Sequence, residues 1–248
     1  MPAMTVSPEE VARFDALAGS WWDPDGPMRP LHRMNPARVA WIAERLGDTL
    51  PLPARDGGAN AASRTASCQV LDVGCGAGLA AEALALLGYD VLGLDAAGAA
   101  IEAARAHAAG QGLRLSYRSG VAEELLAEGA RFPVITALEV IEHVPDPAAF
   151  LATLAALLAP GGRLFLSTLN RTPQAFLAAK LGAEYLLRWL PVGTHDWRKF
   201  ITPAEAAALL RRAGLRVTDS AGLIADPLTG RWRAGRNLAV NYIMAAEN

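Results

Sequence analysis

The spacing of apolar positions along the chain predicts alternating strands and helices. Short apolar runs bounded by glycine or polar residues are typical of buried strands, and the stretches between them carry apolar residues at helical spacing. Strands are predicted at 69–73, 90–94, 113–117, 132–138 and 163–168, and helices at 79–87, 98–109 and 147–158. Strands separated by helices of about ten residues indicate βαβ units, and therefore a parallel sheet with right-handed crossovers.

The flanking regions have other patterns. The elements predicted there are a helical region at 7–46, a flexible join at 47–67, an apolar helical segment at 172–190, a helix at 202–213 and strands at 215–219 and 238–245. The last two strands lack a helix between them, so they are expected to pair as an antiparallel hairpin. The predicted fold is α/β: a mostly parallel seven-stranded sheet with helices on both faces and an antiparallel last strand.

A single domain is predicted over residues 1–248, because no repeat of fixed period occurs. Its predicted parts are N-terminal helices at 1–46, the join at 47–67, a ligand-binding core at 68–171, an apolar insertion at 172–192 and the C-terminal part of the sheet at 193–248.

Composition narrows the class of function. Hydrophobic residues make up 52% of the chain and charged residues 19%, which is typical of a globular domain. The net charge of −2 provides no basic field, so nucleic acid is not expected as a partner. Cys68 and Cys75 are too few for a disulfide framework and indicate a reducing compartment. With no secretory signal and no apolar run of about 18 residues, the chain is predicted to be a soluble intracellular enzyme.

A glycine-rich turn after the first predicted strand marks the expected ligand site. It reads Asp72-Val73-Gly74-Cys75-Gly76-Ala77-Gly78. Glycines allow a sharp turn and a close approach of the backbone to a ligand, and this position is the ligand crevice of an open α/β sheet. A dinucleotide site needs the spacing G-x-G-x-x-G, whose third glycine would fall at Leu79. The spacing therefore disfavours NAD and FAD.

Asp95 ends the second predicted strand and is the expected partner of this loop. A carboxylate there can accept hydrogen bonds from both hydroxyls of a ribose. The alternative is that Asp95 caps the helix that follows, and the two roles are compatible.

Two carboxylates and an imidazole follow the fourth predicted strand. If this segment is helical, Glu139, Glu142 and His143 share one face, because they lie at i, i+3 and i+4. Such a set suits a hard cation such as Mg²⁺. Alternatively His143, with Glu142 beside it, is a general base for a hydroxyl proton. A structural role, in which these residues fix the loop around the ligand, is a third interpretation, and the sequence leaves the three open.

Further motifs carry a resemblance to a known family. They are Phe14-Asp15-Ala16-Leu17-Ala18, Trp21-Trp22-Asp23, Pro30-Leu31-His32-Arg33-Met34-Asn35-Pro36-Ala37-Arg38, Ser167-Thr168-Leu169-Asn170-Arg171-Thr172, Gly182-Ala183-Glu184-Tyr185, Pro191-Val192-Gly193-Thr194-His195-Asp196 and Val240-Asn241-Tyr242. With the glycine loop, this series resembles the ubiquinone-biosynthesis O-methyltransferases, a family of the class I S-adenosylmethionine-dependent methyltransferases. The resemblance covers nearly the whole chain and implies the Rossmann-like fold of that class.

The resemblance also implies a cofactor and two acceptors. The cofactor is S-adenosylmethionine, and the acceptors are the free hydroxyls of a 2-polyprenyl-6-hydroxyphenol and of 3-demethylubiquinol. The cofactor contacts expected from the family and from the glycine loop are Arg38, Asp72, Gly74, Gly76, Gly78, Asp95 and Leu138. One branch of the family is linked to Mg²⁺ through a Glu-x-x-Glu-His motif, here Glu139, Glu142 and His143.

The implied acceptor carries a polyprenyl tail and resides in a bilayer. Residues 172–190 combine aromatic and apolar positions with Lys180 and Arg188, as interfacial helices do. We therefore expect this segment to contact an anionic lipid membrane, with a helix packed on the sheet edge or a lid as the alternatives. The expected location is cytoplasmic, peripherally bound to the inner face of the cell membrane, with other ubiquinone-biosynthesis enzymes as candidate partners.

Other functions remain open at this point. The chain is alternatively a methyltransferase for another hydrophobic phenol, a nicotinamide-dependent oxidoreductase or a non-catalytic lipid-binding subunit with the same fold. Leu79 in place of the third glycine counts against the oxidoreductase. His195, next to Asp196, is a second candidate base.

Overall fold

A computed structural model describes residues 6–47, 68–177, 197–226 and 228–248. The helices are α1 Pro8–Leu17, α2 Arg29–Gly47, α3 Leu79–Leu86, α4 Gly98–Ala108, α5 Ala122–Ala127, α6 Pro147–Leu157, α7 Pro173–Phe176 and α8 Pro203–Arg212. The strands are β1 Gln69–Val73, β2 Asp90–Asp95, β3 Leu115–Ser119, β4 Phe132–Leu138, β5 Leu158–Leu169, β6 Arg216–Ala225, β7 Trp232–Gly235 and β8 Asn241–Glu247.

One twisted sheet holds all of these strands, in the order β3-β2-β1-β4-β5-β8-β6-β7. Strands β1 to β5 pair in parallel, which confirms the predicted βαβ core. Strand β8 is antiparallel to both of its neighbours, β5 and β6. The order along the sheet reverses between β1 and β4, and such a switch point opens a ligand crevice at the carboxyl ends of the strands.

The hydrophobic core lies on both faces of the sheet because neighbouring residues of each strand point in opposite directions. Val70 packs on the face covered by α2, α3 and α4, whereas Leu71 packs on the face covered by α5, α6 and α8. In β4, Val134 and Ile135 divide in the same way. The three-layer α/β architecture predicted from the sequence is therefore confirmed.

The N-terminal helices predicted from the sequence are α1 and α2, and the turn Asp23–Gly26, in which Asp23 accepts the N–H of Asp25, separates them. Two details of the prediction were wrong. The sheet has eight described strands rather than seven, because the short edge strand β7 returns alongside β6 before β8 begins. Helix α5 was missed because six residues are too few to show a helical period.

Some predicted features lie outside the described residues. They are residues 48–67 of the predicted join, residues 178–190 of the apolar segment, and His195. In the described ranges, no helix has the length and hydrophobicity that a membrane crossing requires.

Candidate active site

A pocket opens at the carboxyl ends of β1, β2 and β4, where the strand order reverses. The sequence-predicted residues that line it are Arg38, Asp72, Gly74, Gly76, Asp95, Leu138, Glu139 and His143. The walls are completed by α1, through Glu10 and Phe14, and by Trp21. Two predicted residues lie elsewhere: Gly78 immediately precedes α3 in a left-handed conformation, and Glu142 lines a neighbouring cavity.

The glycine loop is held against β2 and closely covered by side chains. The backbone N–H groups of Gly74 and Cys75 both donate to the carbonyl of Leu94, at 2.7 and 3.2 Å. Gly76 has a φ of +54°, and a Cβ there would collide with the indole ring of Trp21. Glycine is required at this position both by the backbone conformation and by the close approach of the ring.

The N-terminal segment is fastened to this loop by side chains that donate to its carbonyl groups. Nε1 of Trp22 donates to the carbonyl of Ala77 at 3.0 Å, and Nδ2 of Asn35 donates to that of Leu79 at 2.7 Å. Asn35 also accepts from Nε of Arg38 at 2.9 Å. The same contacts that fix the loop therefore place the guanidinium of Arg38 in the pocket.

Two oppositely charged side chains in the pocket, Arg38 and Asp72, each have a buried polar atom with no hydrogen-bond partner among the described residues. The two atoms are Nη1 of Arg38 and Oδ2 of Asp72. Burial raises the pKa of Asp72 to about 6, against the opposing effects of the Thr136 hydroxyl and the Arg38 charge. Buried unpaired polar atoms are costly. The guanidinium of Arg38 is complementary to the carboxylate, and the carboxylate of Asp72 to the ammonium group, of the methionine part of S-adenosylmethionine. The residues present therefore fit that cofactor.

Asp95 lies at the other end of the same wall. Its carboxylate accepts the N–H of Gly76 at 2.7 Å and that of Ala97 at 2.8 Å. Burial raises the pKa of Asp95, while these two hydrogen bonds oppose the shift. A carboxylate has about four acceptor positions. Asp95 therefore fixes the turn into α4 and retains the capacity to accept from a ribose.

His143 faces the pocket from the 3₁₀ turn Ile141–His143 that follows β4. Its Nδ1 lies 3.2 Å from a carboxylate oxygen of Glu10, whose other oxygen accepts from Lys199 at 3.2 Å. The hydrogen bond with His143 holds the pKa of Glu10 at about 2. Burial alone would lower the pKa of His143, but the bond to Glu10 and the nearby Glu142 outweigh it and raise the pKa.

The predicted metal set is not arranged as the sequence suggested. The segment forms a single 3₁₀ turn rather than a helix, and Glu139 has a φ of +60°. Glu139 accepts from Ser167 at 2.6 Å and from Asn241 at 3.1 Å, whereas Glu142 accepts from Thr168 at 2.9 Å. In the described part of the chain, no three His, Cys, Asp or Glu side chains are grouped to hold a metal. The condition for a shared α-helical face is therefore not met, and a metal role for Glu139, Glu142 and His143 stays a prediction.

Glu142 is instead a buried carboxyl group beside the pocket. Burial, followed by the charge of Glu139, raises the pKa of Glu142 to about 7. It lines a second cavity, which meets the first at Ser7, His143 and Val144. Besides Glu142, its lining includes a second acid, Glu205, the basic side chains Arg171, Arg198, Lys199 and Arg212, and the apolar side chains Ile141, Phe200, Ile201 and Leu209.

Two residues of the site could not be recognised from the sequence. Glu10 lies 133 positions before His143, and Lys199 lies 189 positions after Glu10. In the sequence, Glu10 has only the pattern of an acid in the first turn of a helix. No local motif links these residues, because the contact depends on how α1 packs.

Comparison with known proteins agrees with this geometry. The profile of a family described as "Methyltransferase domain" matches residues 31–220. The ubiquinone biosynthesis O-methyltransferase of Caulobacter vibrioides is 48% identical, over 98% of this chain and 95% of the relative. That of Cereibacter sphaeroides strain ATCC 17025 is 46% identical, over 98% and 96%. The chain belongs to this family. It is an S-adenosylmethionine-dependent O-methyltransferase, which excludes the oxidoreductase and the non-catalytic subunit.

Solved structures support the fold of this O-methyltransferase. The magnesium protoporphyrin IX methyltransferase of Synechocystis PCC 6803 with bound SAH matches with a TM-score of 0.63 and 18% identity, over 96% of this chain and 94% of that chain. A structure described under echinomycin biosynthesis matches with a TM-score of 0.64 and 20% identity, over 96% and 92%. At such identities the likeness establishes the class I fold alone.

Proposed function

We propose that this O-methyltransferase methylates the hydroxyl group of a polyprenylated phenol or quinol. The acceptors are a 2-polyprenyl-6-hydroxyphenol and 3-demethylubiquinol, in keeping with the ubiquinone-biosynthesis relatives that match over almost their full length. The observation that carries the proposal is the position of His143 at the junction between the cofactor pocket and the second cavity. A base at this point can take the proton of an acceptor that lies in the second cavity and faces the methyl donor in the first.

The donor end binds S-adenosylmethionine, which supplies a methyl group bonded to a sulfonium. Arg38 pairs with the carboxylate of the methionine part, and Asp72 with its ammonium group. Asp95 accepts from the ribose hydroxyls. Because Asp72 and Asp95 lie on β1 and β2, and Asn35 fixes Arg38 of α2, the donor is oriented before the acceptor enters.

The acceptor end has to remove a proton from a phenol, whose pKa is about 10. Four cationic side chains, Arg171, Arg198, Lys199 and Arg212, line the second cavity with two carboxyl groups, Glu142 and Glu205, and Lys199 also pairs with Glu10. The excess of cationic side chains favours the phenolate. The acceptor oxygen gives its proton to Nε2 of His143 and forms the new O–CH₃ bond while the S–CH₃ bond breaks. The products are the methyl ether and S-adenosylhomocysteine, and the proton remains on His143 until solvent removes it.

The proposal is tested by incubating the purified protein with S-adenosylmethionine and a reduced short-tail 3-demethylubiquinol analogue. Mass spectrometry should detect the methyl ether in step with S-adenosylhomocysteine. A short-tail catechol without the quinone-type ring is the matched comparison. Turnover of the catechol with none of the quinol would reject the ubiquinone assignment and favour another hydrophobic phenol.

Membrane contact through residues 172–190 is part of this proposal. In the described portion of this segment, Thr172 caps α7 and Leu177 is 55% exposed. Phe176 packs edge-on against Trp197, which is 37% exposed. A group of exposed aromatic and aliphatic side chains suits insertion between lipid headgroups.

Liposome flotation tests this contact with vesicles containing anionic phosphatidylglycerol. The F176S/L177S double variant should bind them more weakly than the wild type. Leu86→Ser, which removes a leucine that is 68% exposed on α3, is the control and should bind as the wild type does. Equal binding by all three proteins would reject the assignment.

A further inference from the structure

Helix α1 contributes a firmly held carboxylate to the acceptor side of the pocket. The two oxygens of Glu10 contact His143 and Lys199, each at 3.2 Å. Arg13, one turn further along the helix, pairs with Glu10 at 3.3 Å. Three partners on three elements of the chain therefore fix the direction in which this carboxylate points.

The contact with Glu10 determines which ring nitrogen of His143 is basic. An ionised carboxylate can only accept hydrogen bonds, so Nδ1 must carry the hydrogen. The neutral ring then has its free lone pair on Nε2. Phe14 packs edge-on against the same ring, with the ring centroids 5.2 Å apart, and limits its rotation. Both the tautomer and the orientation of His143 are thus set by α1.

We propose that Glu10 is a positioning residue for methyl transfer, holding His143 so that Nε2 accepts the proton of the acceptor hydroxyl. The inference rests on the proposed function, in which His143 takes that proton. The arrangement follows the logic of an acid that orients a histidine base. Helix α1 has a separate anchor, because Asp15 accepts the N–H of Ala99 at 2.8 Å. Loss of the Glu10 charge should therefore leave the helix in place.

The first test reads the tautomer directly and requires no turnover. Nitrogen NMR of histidine-labelled protein, at a pH where the rings are neutral, resolves the four histidines, and His143→Ala assigns the signal. Wild-type protein should show hydrogen on Nδ1. Glu10→Gln should shift the population towards hydrogen on Nε2, because the amide can donate as well as accept. Glu9→Gln, at an exposed site on the same turn, should match the wild type. An unchanged tautomer in Glu10→Gln would overturn the proposal.

The second test is a double-mutant cycle at saturating S-adenosylmethionine. Glu10→Gln should lower kcat about 10-fold or more in the wild-type background, because it removes part of the roughly 10²- to 10⁴-fold that acid–base catalysis contributes. It should have no further effect in His143→Ala, and KM for the cofactor should stay the same. An equal loss in both backgrounds would mean that Glu10 only stabilises the fold. A Glu10-dependent tautomer in a protein that does not methylate the quinol would instead refute the proposed function and leave the positioning role intact.

Discussion

The two ends of the pocket are built in different ways. At the donor end, Asp72 on β1 and Arg38 on α2 are buried, and each has a polar atom to which no described residue hydrogen-bonds. At the acceptor end, Glu10 and His143 pair with each other, and their side chains are 14% and 16% exposed to solvent. Lys199, their neighbour, is half-exposed. The donor end is thus built on β1 and β2, with Arg38 of α2 fixed against the start of α3 through Asn35, whereas the acceptor end depends on how α1 and the segment around Lys199 pack against the turn after β4.

The largest expected effect separates chemistry from cofactor binding. His143→Ala should lower kcat by about 100-fold or more, because the phenol loses the proton acceptor that we propose for it. The Kd for S-adenosylmethionine, measured by calorimetry, should stay within about 2-fold, since the donor end is untouched. Equal losses in kcat and affinity would show that the two ends are not separable. Activity that EDTA removes and Mg²⁺ restores would support the metal interpretation of Glu139, Glu142 and His143.

Substitution of Asp95 is expected to weaken cofactor binding, which substitution of His143 should leave unchanged. Asp95→Asn removes the charge that accepts the N–H of Gly76 and that we propose accepts from the ribose, and charged hydrogen bonds contribute about 1.5–3 kcal/mol. The Kd for S-adenosylmethionine should therefore rise by about 10- to 150-fold. Asp90→Asn, at the other end of β2, is the control and should bind as the wild type does. Unchanged cofactor affinity in Asp95→Asn would contradict the ribose role and leave only the turn-fixing one.

A smaller effect is expected from the glycine loop. Gly76→Ala adds a Cβ that meets Trp21, besides the cost of about 1–2 kcal/mol for a left-handed residue other than glycine. Gly110→Ala has the same kind of backbone cost, with φ at +77°, but open space around the Cβ. Thermal unfolding should therefore show a larger loss for Gly76→Ala, accompanied by weaker cofactor binding. Equal losses would mean that Trp21 moves aside freely.

The smallest expected effect is the release of a proton from Asp72 when S-adenosylmethionine binds. Its raised pKa means that the free protein gains stability from this group below the unfolded-state value of about 4 and loses that gain as the pH rises through about 6. The ammonium of S-adenosylmethionine favours the ionised carboxylate. Calorimetry near pH 6 in buffers of different ionisation enthalpy should detect release of a fraction of a proton on binding. Asp72→Asn should release none, and an identical release would assign the proton to another group.

The same contrast explains what could be predicted from the sequence. The strand 132–138, the glycine loop and Asp95 are local patterns, and the structure places them as predicted because a βαβ unit determines its own geometry. Glu10 and Lys199 could not be predicted, because their contacts join segments far apart in the chain. Glu139 and His143 do not share an α-helical face, because the residues after β4 form a 3₁₀ turn, which has a different period from an α-helix.

The most direct test of a pocket with two separate ends is a crystal structure with bound S-adenosylhomocysteine. We expect the carboxylate of the ligand on Nη1 of Arg38, its amino group on Asp72 and its ribose on Asp95. Its sulfur should face the junction where His143 lies. A ligand whose amino acid part lies away from Arg38, or whose sulfur is screened from His143, would contradict the account.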